Sequence, residues 1–298
     1  MRPKENSYDG GVQMSKRGKS INLFLMDGEA SGRIKCTLAN WTGVAYKIPR
    51  TALDLCKDRD DLKQSGVYFL FGTSDQTGNN VVYIGQAVAR KNGECLLYRL
   101  QEHKRDPNKD YWTEAVVFTT SNNSFGPTEI SYLENRFCGL ALAARRYDVK
   151  NVIDPTQGNI TEEKESELEE FIDYARIVMG TLGHKVFDPL VPVTIPSPID
   201  EPLLYFENVN AKATGRRTSE GFVVLKGSRL SQKITKSCPE AAIKARAKHK
   251  DKINQDYVLT EDVFFTSPSA AAAFVGGSSL NGNIVWKTES GVPLKQIN

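Results

Sequence analysis

The stretch "SGVYFLFGTSDQTGNNVVYIGQA", residues 65–87, decides how the rest of the chain is read. Its ends, "SGVYFLFG" and "VVYIGQA", are short, apolar and aromatic, and "DQTGNN" between them carries turn residues. Aromatic and β-branched side chains suit a pleated, half-buried surface, and a Gly/Asn turn between two such runs is a hairpin signal. Downstream, "GECLLYRLQEHKRD" (93–106) spaces Leu96, Leu97 and Leu100 along one side of a helix, opposite a polar side. "WTEAVVFTT" (112–120) predicts a third strand, "TEISYLENRFCGLALAARRYD" (128–148) a second helix, and "NVIDPTQGN" (151–159) the close of the unit. Strand, strand, helix, strand, helix is the order of a compact α/β unit over residues 63–158.

Upstream, "SINLFLMDG", "GRIKCTLAN" and "GVAYKIP" read as three strands of a small β-rich unit, and "TALDLCKDRDDL" as a short helix that completes residues 18–62. Residues 1–17 are polar and Gly/Lys-rich and read as a flexible tail. After the hairpin unit, "TEEKESELEEFIDYARIVMGTLG" predicts a long connecting helix (159–186). Thr161 is its cap, and Glu162 and Glu163 suit the positive end of the helix dipole. The Pro-rich "HKVFDPLVPVTIPSPIDEP" reads as a linker into a C-terminal α/β domain (187–298). Within that domain "GFVVLKGSRL" reads as a strand, "CPEAAIKARAKHKDK" as a helix, "DVFFTSPSAAAAFVGG" as turn and helix, and "GNIVWKTESGVPL" as strand and turn.

Composition is that of an ordinary globular chain, with a net charge of +3 that is too small to demand a nucleic-acid partner. Charge is unevenly spread: "TEEKESELEEFID" is acidic and "KITKSCPEAAIKARAKHKDK" strongly basic. Cys36, Cys56, Cys95, Cys138 and Cys238 are scattered, odd in number and without a C-x-x-C pair. They argue against a disulfide framework or zinc knuckle and predict a cytoplasmic protein. No run approaches a membrane span, so no membrane partner is expected.

The second helix holds a residue that needs explaining. Ile130, Leu133, Phe137, Leu140, Ala141 and Ala144 share one face, and Glu134 lies inside that stripe. A carboxylate there is costly unless positive charge meets it. Two partners stay open on the residues alone: a basic side chain at the edge of the core, or a metal ion.

Gly-Val-Tyr at 66–68 and Tyr-Ile-Gly at 83–85, on neighbouring strands, resemble the signature of the GIY-YIG nuclease family. Arg99 and His103, one helical turn apart, are similar to that family's arginine and its His or Tyr one turn later. Glu134 in "YLEN" and Asn151 after the second helix match the family's glutamate and asparagine. The gaps from Tyr68 to Tyr83 and from Tyr83 to Arg99 are longer than usual for the family, with the extra residues in the polar "DQTGNN" and "VARKNG". The resemblance implies a small three-stranded antiparallel sheet flanked by helices and a metal-dependent endonuclease acting on DNA. It implies Tyr68, Tyr83, Arg99, His103, Glu134 and Asn151 as the catalytic set, with Glu134 the ligand of Mg2+ or Mn2+. The chemistry fits these residue types. A hard cation neutralises phosphate charge and needs only one or two carboxylates, and an arginine fork binds a phosphate oxygen. A tyrosine becomes a base if nearby positive charge lowers its pKa. Tyr68 is the expected base, with Tyr83 orienting water or sharing the proton. His103 would relay a proton or contact phosphate, and Asn151 would hold the metal-site geometry.

"GFVVLKGS", "FTSPSAAAAFVGGSSLNG" and "WKTESGVPL" resemble the small uncharacterised domain that often follows GIY-YIG units in bacterial proteins. A similar pattern accompanies restriction and DNA-methylation enzymes, which implies DNA contact. The residues expected there are Lys233, Lys236, Lys244, Arg246 and Lys248 along a backbone, Ser267 and Ser269 as caps donating to phosphate, and Lys104 on the first helix. The other reading of this region is a solvated basic helix, an N-capping serine and a core Trp286. For the whole chain the alternative to an endonuclease in repair or restriction is a non-catalytic nucleic-acid-binding module on the same scaffold.

Overall fold

The computed structural model describes residues 18–89, 95–151, 160–189 and 201–297. The expected tail, the last four residues of "VARKNG", most of "NVIDPTQGN" and much of the Pro-rich linker lie outside the described residues. The described chain forms two compact units. One takes its residues from 1–72, 83–136 and 151–184, the other from 73–82, 137–150 and 185–298. The fold class is mixed α and β, as the sequence predicts, with one large mixed sheet and a second antiparallel one.

The large sheet contains β1 (Ile21–Leu25), β2 (Ile34–Leu38), β3 (Gly43–Pro49), β4 (Gly66–Thr73), β5 (Asn80–Ala87), β6 (Trp112–Thr120) and β7 (Asp148–Val149). Their order is β1-β2-β3-β6-β4-β5-β7. Val117 of β6 faces Tyr46 of β3 on one side and Tyr68 of β4 on the other, both antiparallel. The N-terminal strands are therefore not a separate unit, and the expected three-stranded sheet is the middle of a larger one. The physical reason lies in β6. Ala115 to Thr120 are all buried, and a buried strand left with one open edge would strand its ladder groups, which β3 satisfies.

Between β3 and β4 the chain turns through two 3₁₀ segments, Arg50–Cys56 and Asp60–Lys63, where one short helix is expected. Leu53 and Cys56, three apart, are both fully buried, and i,i+3 spacing on one face suits the three-residue turn of that helix. Helix α1 (Leu96–Arg105) buries Leu96, Leu97, Leu100 and His103. Helix α2 spans Pro127–Ala144 and buries Ile130, Leu133, Phe137, Ala141 and Ala144, while Leu140 is only half-buried. Helix α3 (Glu162–Thr181) begins at Thr161, whose side chain accepts from the Lys164 N–H as a cap does. It is more than a connector. Phe171 packs on Trp41 and Phe125 with ring centroids 4.9 and 5.0 Å away, and Glu169 accepts from Arg136 Nη2 at 2.9 Å.

The smaller sheet runs β11-β10-β9-β8, from β8 (Leu204–Glu207), β9 (Lys212–Thr218), β10 (Gly221–Val224) and β11 (Val263–Phe265). Helix α4 (Glu240–Lys248) precedes β11, and α5 (Pro268–Gly276) and the short α6 (Gly282–Val285) follow it. Phe206, Phe222, Phe265, Phe274 and Trp286 form its core. Trp286 is fully buried and donates its indole N–H to Pro268 O at 3.0 Å. "GNIV" is helical, not the strand its β-branched residues suggest. Asn281 caps it by accepting from the Asn283 N–H, and the buried Trp286 fixes its end.

Candidate active site

Both glycines of the two tripeptides are required by packing. A Cβ at Gly66 would sit 2.3 Å from Phe118 O, and one at Gly85 would sit 2.4 Å from Tyr68 Oη. The second contact explains why a glycine closes Tyr-Ile-Gly: the hairpin brings the Tyr68 phenol across the Gly85 backbone. Gly85→Ala is expected to push that phenol off its seat and to cost about 1–3 kcal/mol in chemical denaturation. A variant as stable as the parent would contradict this account.

The Tyr68 side chain is 1% exposed, and its Oη lies 2.7 Å from His103 Nε2. Burial, helped by Lys109 and Arg99, pushes His103 down to about 3, so the imidazole is neutral, and its tautomer sets which of the two groups donates in this bond. At Tyr68 itself burial outweighs the opposing pull of Arg99 and drives the pKa up, the reverse of what was expected for a base. Tyr83 lies 6.3 Å from the Tyr68 ring and 5.4 Å from His103, centroid to centroid. It is only partly buried and is the more reachable phenol.

Arg99 is half-exposed. Its Nη1 bonds to Glu102 at 2.6 Å, and its charge acts on Tyr68, His103 and Glu134. A residue that the sequence reading missed joins this group. Lys109 places its ammonium 3.4 Å from the centroid of the Tyr83 ring, a cation–π contact. It sits in the polar "DPNKDYW", which looks like any solvated loop, and nothing in its spacing signals a site.

Glu134 accepts a hydrogen bond from Gln86 Nε2 at 2.9 Å, and Gln86 also bonds to Ser131 Oγ. No ion pair involving Glu134 is found among the described residues. Burial raises its pKa, against the Gln86 bond and the charge of Arg99. Gln86, the residue after Tyr-Ile-Gly, was also missed, although the strand alternation that buries Tyr83's neighbours points it toward α2. Asn151 clasps the strand between the second tyrosine and glycine. It accepts from Ile84 N at 3.1 Å and donates to Ile84 O at 2.7 Å. The six expected residues thus come together within one unit. Among the described residues there is no group of three or more His, Cys, Asp or Glu that could hold a metal. A hard cation at Glu134 would draw its other oxygens from water and substrate, as magnesium does. A desolvated carboxylate whose hydrogen-bond donor is a neutral amide fits that demand.

The basic residues expected to meet DNA divide into two sets. Lys233, Lys236, Lys244 and Lys248 are exposed, Lys244 in an i,i+4 pair with Glu240. Arg246 is not available as expected. Its guanidinium is spent on the carbonyls of Phe274, Ser231 and Val275 at 2.7, 2.7 and 3.0 Å, where it ties α4 to the end of α5. Lys104 is paired with Asp54 at 2.7 Å. Ser267 accepts from Ala270 N as the α5 cap, and Ser269 Oγ accepts from Gly282 N at 3.0 Å. Both serines are therefore engaged by their own backbone.

Residues 204–298, from the first residue of β8 onward, match the model of a family described as a domain of unknown function, DUF4357. No curated protein and no solved structure matches the chain.

Proposed function

We propose that the protein is a metal-dependent endonuclease that hydrolyses phosphodiester bonds of DNA at a GIY-YIG-type site. One observation carries this reading: two tyrosines and a neutral histidine lie together, and Arg99 acts on Tyr68, on His103 and on a desolvated glutamate that has no ion pair among the described residues. Glu134 would hold Mg2+ or Mn2+, which when bound supplies positive charge against the phosphate oxygens. Arg99 binds a non-bridging oxygen and stabilises the charge that grows there. Tyr83, the reachable tyrosine, would act as the phenolate, taking the proton of the attacking water and becoming the phenol. Tyr68 was the first choice from sequence, but its burial and its bond to His103 suit it to fixing the site rather than meeting water. Asn151 holds the Tyr83–Gly85 backbone in register by its paired bonds to Ile84. The exposed lysines at 233, 236, 244 and 248 add backbone affinity, and the five buried thiols fit a reducing cytoplasm.

The test is nicking of supercoiled plasmid with Mg2+ and with excess chelator. Cleavage that needs the metal supports the reading. Binding without cleavage under any divalent metal would favour a non-catalytic module, and robust cleavage in chelator would remove the role given to Glu134.

A further inference from the structure

Lys109 is built into its place. Asp106 caps the 3₁₀ turn Pro107–Lys109 by accepting from the Asn108 N–H, and Pro107 fixes its first position. Arg50 then holds the far side, donating through Nη1 to Asp110 O at 2.9 Å and to Trp112 O at 3.2 Å. The turn delivers a half-buried ammonium to the Tyr83 ring, 3.4 Å from its centroid. Among the described residues no carboxylate pairs with it: Asp110, next in sequence, pairs with Arg50 at 2.8 Å, and Asp106 is engaged by the turn. The charges and titratable groups facing it are Arg99 and His103 on α1, Tyr83 on β5 and Asp106 on its own turn.

A lysine so placed costs stability. Its charge is partly desolvated and faces a second cation, a situation a bound anion would relieve. We propose that Lys109 is a second phosphate-binding residue of this site, which closes with Arg99 on one phosphate of the DNA backbone beside Tyr83. This rests on the DNA reading of the site but not on cleavage. Burial and Arg99 bring the free ammonium down to about 8, with Asp106 opposing. A phosphate dock would restore its proton, so binding at mildly alkaline pH takes one up.

The experiment measures affinity of the full-length protein for a short DNA duplex in chelator, from pH 7 to 9 and across salt. Wild-type affinity is expected to fall as pH rises through about 8. Lys109→Arg, charged throughout, should bind as tightly at pH 7 and lose that pH dependence. Lys109→Met should bind about 3–10-fold more weakly at pH 7, with a salt slope shallower by about one, and the gap should narrow as pH rises toward 9. Should Lys109→Met fail to fold, Lys109→Gln gives the same reading. Equal affinity and salt slope for Lys109→Met and wild type at pH 7 would overturn the proposal while leaving the nuclease reading intact. The same holds if Lys109→Arg keeps the wild-type pH dependence. A wild-type protein that binds in this pattern but never cleaves would overturn the nuclease reading and leave Lys109 as a phosphate contact. A wild-type protein that does not bind DNA would overturn both.

Discussion

Glu134→Gln is expected to lower the cleavage rate by about a thousandfold or more while raising thermal stability in chelator. The two halves have one cause. The glutamine keeps the shape of the side chain and still accepts from Gln86, but it removes the charge a divalent cation needs. The stability half follows from proton linkage. Burial raises the pKa of Glu134 in the folded chain above its unfolded value. Between those two values the folded state holds more protons than the unfolded one, so stability falls as pH rises through that window. At neutral pH, without metal, the charged carboxylate is therefore a burden on the fold, and removing it relieves the burden. Added Mg2+ should raise the wild-type midpoint by mass action and leave the variant unmoved. An ion-pair role predicts the reverse, because a stranded cation costs about 3–5 kcal/mol. A large drop in midpoint with cleavage retained would remove Glu134 from the metal site and take most of the catalytic reading with it.

Glu134 could be singled out from sequence because a carboxylate on a helical apolar face breaks a pattern that the neighbouring residues set. The same is true of the two glycine–tyrosine tripeptides. Their strand setting is local, while the need for glycine comes from neighbouring strands: Phe118 of β6 at Gly66 and Tyr68 across the hairpin at Gly85. What escaped depends on tertiary partners. Lys109 looks like a loop lysine until the turn at 106–109 is folded against Tyr83. Arg246 belongs to a basic run, yet three buried carbonyls claim it, and no one-dimensional feature separates it from Lys244 or Lys248. The strand β9, "KATGRRT", passed unread because it buries an alanine and a glycine where alternation of large apolar side chains would have marked it. Its Gly215 is needed so that Phe222 can lie against the backbone, a Cβ there meeting the ring at 2.3 Å. The merging of the N-terminal strands into the large sheet was hidden for a similar reason. The pairing of β3 with β6 joins residues far apart in the chain, and strand patterns do not name their partners.

Arg99→Ala is expected to lower kcat by about 10²- to 10³-fold, the loss associated with removing one preorganised donor from a developing oxyanion. The fold should be little affected. Arg99 is half-exposed, and its ion pair with Glu102, one turn away on the same helix, is of the surface type that contributes little. Two effects inside the site oppose each other. The positive charge that acts on Glu134 and Tyr68 is lost, which makes the carboxylate still harder to keep ionised. The repulsion felt by Lys109 is also lost, so the lysine holds its proton more firmly. The remaining cation can still dock a phosphate, which is why affinity should fall by much less than kcat. Arg99→Lys should recover binding but not rate, since an ammonium cannot reproduce the two-pronged contact of a guanidinium with a phosphate. Measured under single-turnover conditions in Mg2+, a loss confined to KM with kcat unchanged would mean that Arg99 only holds the ground-state phosphate. Transition-state stabilisation would then have to be sought at Lys109, where the second cation stands against Tyr83.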